Sequence, residues 1–280
     1  MAFFGLFGSA PNVEKLTQGG DFPGLIKALN YKKDAEVRRN AASALGRSGD
    51  VQVLEGLTAA ITDQDASVRS AVAVALGRMR DPRSIPELTN AIKDEDARVR
   101  AAAAGALGRF SDEEAVAGLV PAVQDPESRV RTAAVDALGR TRNPQALEDL
   151  IAATHDESPQ VRTAAAEALS RLGDPRALEP LRAMLEDERS SVRRVVYLAL
   201  GRMGDTQVVS RLIRQATRED QPEDRVRATL DSLEALLRKS AHEVEIRYLE
   251  QMAGLQDHPV DSSKVRELAE REMARRSQAA

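Results

Sequence analysis

A Val-Arg pair begins at Val37, Val68, Val99, Val130, Val161 and Val192, each 31 residues after the last. The same period carries Leu45, Leu76, Leu107, Leu138, Leu169 and Leu200, followed by Arg47, Arg78, Arg109, Arg140, Arg171 and Arg202. A second leucine recurs at Leu57, Leu88, Leu119, Leu150, Leu181 and Leu212. Self-similarity at a fixed period of about 20–50 residues marks a stacked-repeat architecture, because so short a unit can bury its apolar face only against the next copy. The chain is therefore expected to be an all-α solenoid that presents surface to a partner the sequence does not name.

Each unit reads as two antiparallel helices. Val68, Ala71, Val72, Ala75, Leu76 and Met79 form one helical stripe. Ala and Gly dominate the equivalent stretches, as at 101–105 and 164–166, so this first helix is expected to have neighbours on more than one side. Gly49, Gly173 and Gly204 follow it where a left-handed residue is wanted. Asp50, Asp81, Asp112, Asn143, Asp174 and Asp205 then offer side-chain caps for a second helix, with Pro82, Pro144 and Pro175 at its first position.

The repeat also sets the domain organisation. Residues 1–33 read as an N-terminal segment and capping half-repeat, 34–217 as six regular repeats, and 218–280 as a divergent repeat with a helical cap, all in one continuous domain. Phe3, Phe4 and Phe7 are expected to plug the exposed first unit. After about Thr217 the register breaks: Val226 arrives 34 residues after Val192, and Glu234 stands where a leucine belongs.

Composition narrows the function classes. Aromatic residues make up 3% of the chain and Trp is absent, so Ala, Val and Leu must fill the core. Forty basic residues against 44 acidic ones give a net charge of −4, which argues against a general nucleic-acid binder. Without Cys there is no disulfide, thiolate metal site or Cys nucleophile. No apolar run reaches the roughly 18 residues of a membrane span, and the N-terminus does not read as a signal peptide, so a cytoplasmic location and a monomer are expected.

The pattern D-x4-VR-x2-AA-x-ALGR-x-GD, clearest at 156–174, resembles the HEAT repeat, in particular the short HEAT-like repeats of phycobilisome lyase subunits. The resemblance implies a right-handed superhelix of stacked helix pairs. It also implies a ladder between repeats built from an Asp and an Arg six residues on. Asp63/Arg69, Asp94/Arg100, Asp125/Arg131, Asp156/Arg162 and Asp187/Arg193 match that spacing. Lys32 stands where the first Asp belongs, so the first rung lacks its carboxylate.

Enzyme readings find little support. A deoxyhypusine hydroxylase-like di-iron site needs several His-Glu pairs, whereas this chain has His242 with Glu243, His155 beside Asp156, and His258. HEAT-like DNA glycosylases rely on a basic groove with aromatic residues, which this composition lacks. A phycobilin-lyase-like or other small-molecule chaperone role is the alternative the resemblance implies, without a residue to carry it. No catalytic residue, cofactor or metal site is assigned. The Arg47 to Arg202 stripe reads first as cations at helix C-termini, and second as a basic stripe for an acidic protein, nucleic acid or phospho-ligand.

Positions that differ between copies mark free surface. One set is Glu55, Pro86, Ala117, Glu148, Glu179 and Ser210; another is Thr62, Lys93, Gln124, His155, Glu186 and Thr217. A third varying set, Thr58, Thr89, Val120, Ile151, Arg182 and Ile213, is flanked by Leu54, Ile85, Val116, Leu147, Leu178 and Val209, which read as core. Where part of that flank is open, Val116, Val120, Leu147, Ile151, Val209 and Ile213 would form an apolar ribbon. The favoured expectation is a non-enzymatic scaffold that binds a protein along a groove lined by second helices, at Glu55, Thr58, Pro86, Thr89, Val120, Glu148, Ile151, Glu179, Arg182 and Ile213. Which helix lines the groove is left open by the sequence.

Overall fold

The structure, a computed structural model, describes residues 10–216, 223–240, 244, 246–255 and 262–279. Among them every regular element is helical, and the chain is an all-α repeat solenoid. It divides into two compact units, Met1–Asn143 and Pro144–Ala280. The first holds α1 (Val13–Gln18) and α2 (Phe22–Leu29), then the pairs α3 (Ala35–Ser48) with α4 (Leu54–Ala60), α5 (Ala66–Met79) with α6 (Ile85–Ala91), and α7 (Ala97–Leu107) with α8 (Glu113–Leu119). It ends on α9 (Ser128–Thr141). The second unit holds α10 (Leu147–Ala152), α11 (Pro159–Leu172), α12 (Leu178–Ala183), α13 (Ser190–Met203) and α14 (Val209–Ala216). Three longer-period helices follow: α15 (Glu223–Ser240), α16 (Ile246–Ala253) and α17 (Ser263–Ala279). The plug residues Phe3, Phe4 and Phe7, together with His242, Glu243 and His258, lie outside the described residues.

Both leucines of each repeat are buried completely, as is every Val of the Val-Arg pairs from Val68 to Val192. First helices stack directly on one another, α3 on α5, α5 on α7 and α7 on α9; in the second unit α11 stacks on α13 and α13 on α15. Glycine sets that distance. A Cβ placed on Gly46 would come within 2.5 Å of the Ala75 Cα, one on Gly77 within 2.6 Å of the Ala106 Cβ, and one on Gly108 within 2.6 Å of Ala137. No side chain fits there, which explains why these helices carry Gly although Gly weakens a helix by about 1 kcal/mol relative to Ala.

The joints follow the sequence with three differences. Asp50, Asp81, Asp174 and Asp205 accept from the amides of Gln52, Arg83, Arg176 and Gln207 at 2.9–3.1 Å. The element they open is a 3-10 turn, such as Pro82–Ser84 or Pro175–Ala177, and the α-helix follows three residues later. Asp112 makes no such bond: α7 stops at Leu107, Phe110 turns into the core, and α8 starts without a 3-10 turn. Gly49, Gly173 and Gly204 adopt φ of 68°, 70° and 79°, whereas the same register holds Arg80 and Arg142 at φ 52° and 53°. A side chain in that region costs about 1–2 kcal/mol.

At the ends the pattern loosens. In α2 the buried residues are Leu25, Ala28 and Leu29, while Ile26 lies half-buried against Gly56. In α15 the core leucine is Leu233 and Glu234 is half-buried, so the repeat has slipped by one residue there.

Gly77→Ala is the direct check on the close approach. Helix propensity alone predicts a gain of about 1 kcal/mol, but overpacking costs about 1–3 kcal/mol. The expected outcome is a net loss in urea titration, and a more stable variant would mean that the two helices separate freely.

Candidate binding surfaces

In four of the Val-Arg pairs the arginine ties two repeats together. Arg38 donates to the Asp63 carboxylate through Nε at 2.7 Å and Nη2 at 2.9 Å. Arg69 reaches Asp94 at 2.7 and 2.8 Å, Arg100 reaches Asp125 at 2.6 and 2.9 Å, and in the second unit Arg162 reaches Asp187 at 2.6 and 3.1 Å. The remaining Nη1 donates backwards to the carbonyl six residues earlier: Arg69 to Asp63, Arg100 to Asp94, Arg131 to Asp125, Arg162 to Asp156 and Arg193 to Asp187, at 2.6–2.9 Å. The Asp and Arg spaced by six thus meet through the Asp backbone oxygen, while the carboxylate belongs to the previous repeat's arginine. The first rung is intact for that reason, and Lys32 removes nothing from it: Arg38 uses the Tyr31 carbonyl and the Asp63 carboxylate.

These carboxylates are held charged. Burial alone would raise the Asp63, Asp94 and Asp125 pKa values. The arginine hydrogen bond, a backbone amide two residues on and the guanidinium charge outweigh it, leaving all three below the ordinary aspartate value. For Asp187 the Arg162 hydrogen bond is the largest cause, and the pKa is again lowered. A lowered folded-state pKa contributes stability that is present above the unfolded value of about 4 and is lost as pH falls through the folded one. The melting temperature should therefore hold through neutral pH and drop below about pH 4. Arg100→Leu leaves buried Asp125 without its cation and should cost about 3–5 kcal/mol by denaturant titration. It should also flatten the acid limb of the pH profile, an effect that lost packing alone does not produce.

The second-helix row is uneven. Val120 is 36% exposed, Thr58, Thr89, Ile151 and Arg182 are half-buried, and Ile213 is only 6% exposed. Ile213 therefore packs inside its unit, and Arg182 is engaged by Asp205 and Glu179. Leu54, Ile85, Val116, Leu147 and Val209 are core, with Leu178 half-buried, so no continuous apolar ribbon is open. The outer set Glu55, Pro86, Glu148 and Glu179 is exposed. While first helices pack tightly, α4 and α6 barely touch. Between them lies an open cleft of about 750 Å³ lined by Thr58, Ile61, Glu87, Asn90, Asp94 and Glu95. Two atoms on α6, Glu87 Oε2 and Thr89 Oγ1, are buried without a hydrogen-bond partner.

The other arginine series emerges at the C-terminal ends of the first helices. Arg47, Arg78, Arg109, Arg140 and Arg202 are exposed and Arg171 is half-exposed. Arg140 pairs with Asp136 at 3.2 Å and Arg171 with Glu167 at 3.0 Å. Among the described residues there is no group of three His, Asp or Glu side chains placed to hold a metal ion, and no helix long and apolar enough to cross a membrane. His155 is exposed on a 3-10 turn, in contact with Thr154 Oγ1 at 3.0 Å.

Helix pairs of constant length, stacked through glycine and bridged by an Arg–Asp rung, define an α-solenoid repeat protein. The chain belongs to the HEAT repeat family, whose profile matches residues 22–97, 85–170 and 147–234. Its fold is similar to that of E. coli YibA, with a TM-score of 0.66 at 18% identity, covering 97% of this chain and 100% of that one. An engineered protein matches at TM-score 0.58 and 19% identity, over 95% of this chain and 81% of the other. The complex of CpcE and CpcF of phycocyanin lyase from Nostoc sp. matches at TM-score 0.51 and 23% identity, over 91% and 99%. No curated protein matches by sequence.

Proposed function

We propose that the chain is a non-enzymatic scaffold that binds a partner protein on the second-helix side of its repeats. The observation that carries this reading is a division of labour within each unit. Repeat-invariant residues satisfy the internal structure, whereas the exposed second-helix positions change from copy to copy. Glu55, Pro86 and Val120 serve this role in the first unit, and Glu148 and Glu179 in the second, with half-buried Ile151 beside them. The cleft between α4 and α6 gives a partner side chain room to enter. Glu87, which lines that cleft, has a buried Oε2 with no hydrogen-bond partner among the described residues, and such orphaned atoms are uncommon in native proteins. The Nostoc neighbour, a chain of this fold held in a complex with another protein, adds support.

A photoreactive amino acid placed at Glu55, Pro86 or Val120 in the native host should give adducts with one partner protein, and the same group at Arg98 should not. Val120→Asp should reduce partner recovery by roughly tenfold or more, about 1.4 kcal/mol. It should leave the melting curve nearly unchanged, since surface substitutions usually stay within about 0.5 kcal/mol. Adducts absent at all three positions, or full recovery with Val120→Asp, would overturn the assignment of this face.

A further inference from the structure

The first unit carries a line of arginines that its own structure does not use. The side chains of Arg47, Arg78, Arg80, Arg109 and Arg142 make no hydrogen bond or ion pair among the described residues. Two other exposed arginines of the unit are paired instead, Arg83 with Asp81 and Arg98 with Asp96, both at 2.7 Å, while Arg129, away from this line, is unpaired as well. Arg80, Arg109 and Arg140, from three successive repeats, line one cleft of about 370 Å³ together with Gly108, Ser111 and Thr141.

A second observation points the same way. Arg80 and Arg142 occupy the left-handed position that Gly49, Gly173 and Gly204 fill elsewhere. Two repeats therefore place a long cation at a backbone position that disfavours any side chain. Arg80 lines the cleft and Arg142 follows the cleft residue Thr141; strained residues so placed point towards function, since packing and capping gain nothing from them here.

We propose that this edge binds an acidic, extended segment of a partner polypeptide. Stacked helices lie about 8–10 Å apart. Side chains on one face of an extended strand recur every two residues, about 7 Å. Carboxylates at every second or third residue therefore meet successive guanidiniums, with Arg140 leaving the half-exposed Asp136 to join them. Nucleic acid fits less well. Phe110, the aromatic in the cleft wall, is 4% exposed and offers no face for a base to stack on. Residues 1–143 hold 19 basic and 19 acidic side chains, and exposed Asp112, Glu113 and Glu114 border the arginines. A broad polyanion meets that acidic border, whereas a single narrow strand runs beside it. The surface is separate from the second-helix face, so either assignment can fail alone.

The test uses the full chain and a fluorescent decaglutamate peptide, read by anisotropy at low and at physiological salt, with decaglutamine and a short DNA duplex as comparison probes. Decaglutamate should bind, weaken as salt rises, and exceed both other probes. Arg80→Gly with Arg142→Gly should weaken it at least tenfold while the melting temperature holds or rises, because glycine suits both positions; folding damage then cannot explain the loss. Arg83→Ala with Arg98→Ala removes the same charge from paired positions and should change binding little. Three results would overturn the proposal: no binding at low salt, duplex binding tighter than decaglutamate, or equal weakening by the two double variants.

Discussion

Within each unit the guanidinium of a Val-Arg pair, at Arg38, Arg69, Arg100 and Arg162, is the joint at which one repeat fits the next. Its planar fork has donors in three directions, and the structure uses them for two repeats at once: Nε and Nη2 on the following Asp, Nη1 on the carbonyl of its own turn. A lysine has the charge but not the geometry. Because Arg69 is only 7% exposed, the cost of burying the cation is met by bidentate contact and carbonyl contact together. The turn is fixed in the same act, since the Asp63 oxygen that meets Arg38 also accepts the Asp65 amide that opens the next helix.

Close approach of the first helices is the counterpart of that bridge. Gly46, Gly77 and Gly108 let backbone meet backbone at one end of the helix, while the ladder holds the other end. Two contacts at opposite ends fix both distance and rotation, which a single apolar stripe does not. The second helices are left short and touch one another less than the first helices do, so variation there disturbs neither contact. Conserved interior and variable exterior are thus separated by geometry within each 31-residue unit.

Much of this was legible in the sequence because it repeats. The period, the buried leucines, the left-handed glycines and four of the aspartate caps can each be read from positions 31 residues apart. The direction of the rung could not: the spacing of six is a local contact through a backbone oxygen, and the carboxylate partner lies 25 residues away. Ile213 shows a second limit. Its register matched exposed Val120, yet it packs inside the second unit, because burial at a repeat position depends on which neighbour follows it. The third copy shows another, since Phe110 draws the chain inwards and removes the cap that Asp112 was expected to supply.

Arg80 and Arg142 bear on how repeat proteins acquire specificity. In one left-handed register the chain uses Gly in three copies and Arg in two, and only the structure shows the cost of the second choice. Stability selection acting on every repeat alike favours Gly at each copy, since glycine removes the strain and no contact depends on the arginine. Departure from the repeat at a position where the departure destabilises is therefore more informative than departure on free surface. Glu55 and Pro86 differ between copies without consequence for the fold and record permission to vary. The arginines record a gain elsewhere, and their unpaired guanidiniums, two repeats apart, locate it on the surface of the first unit.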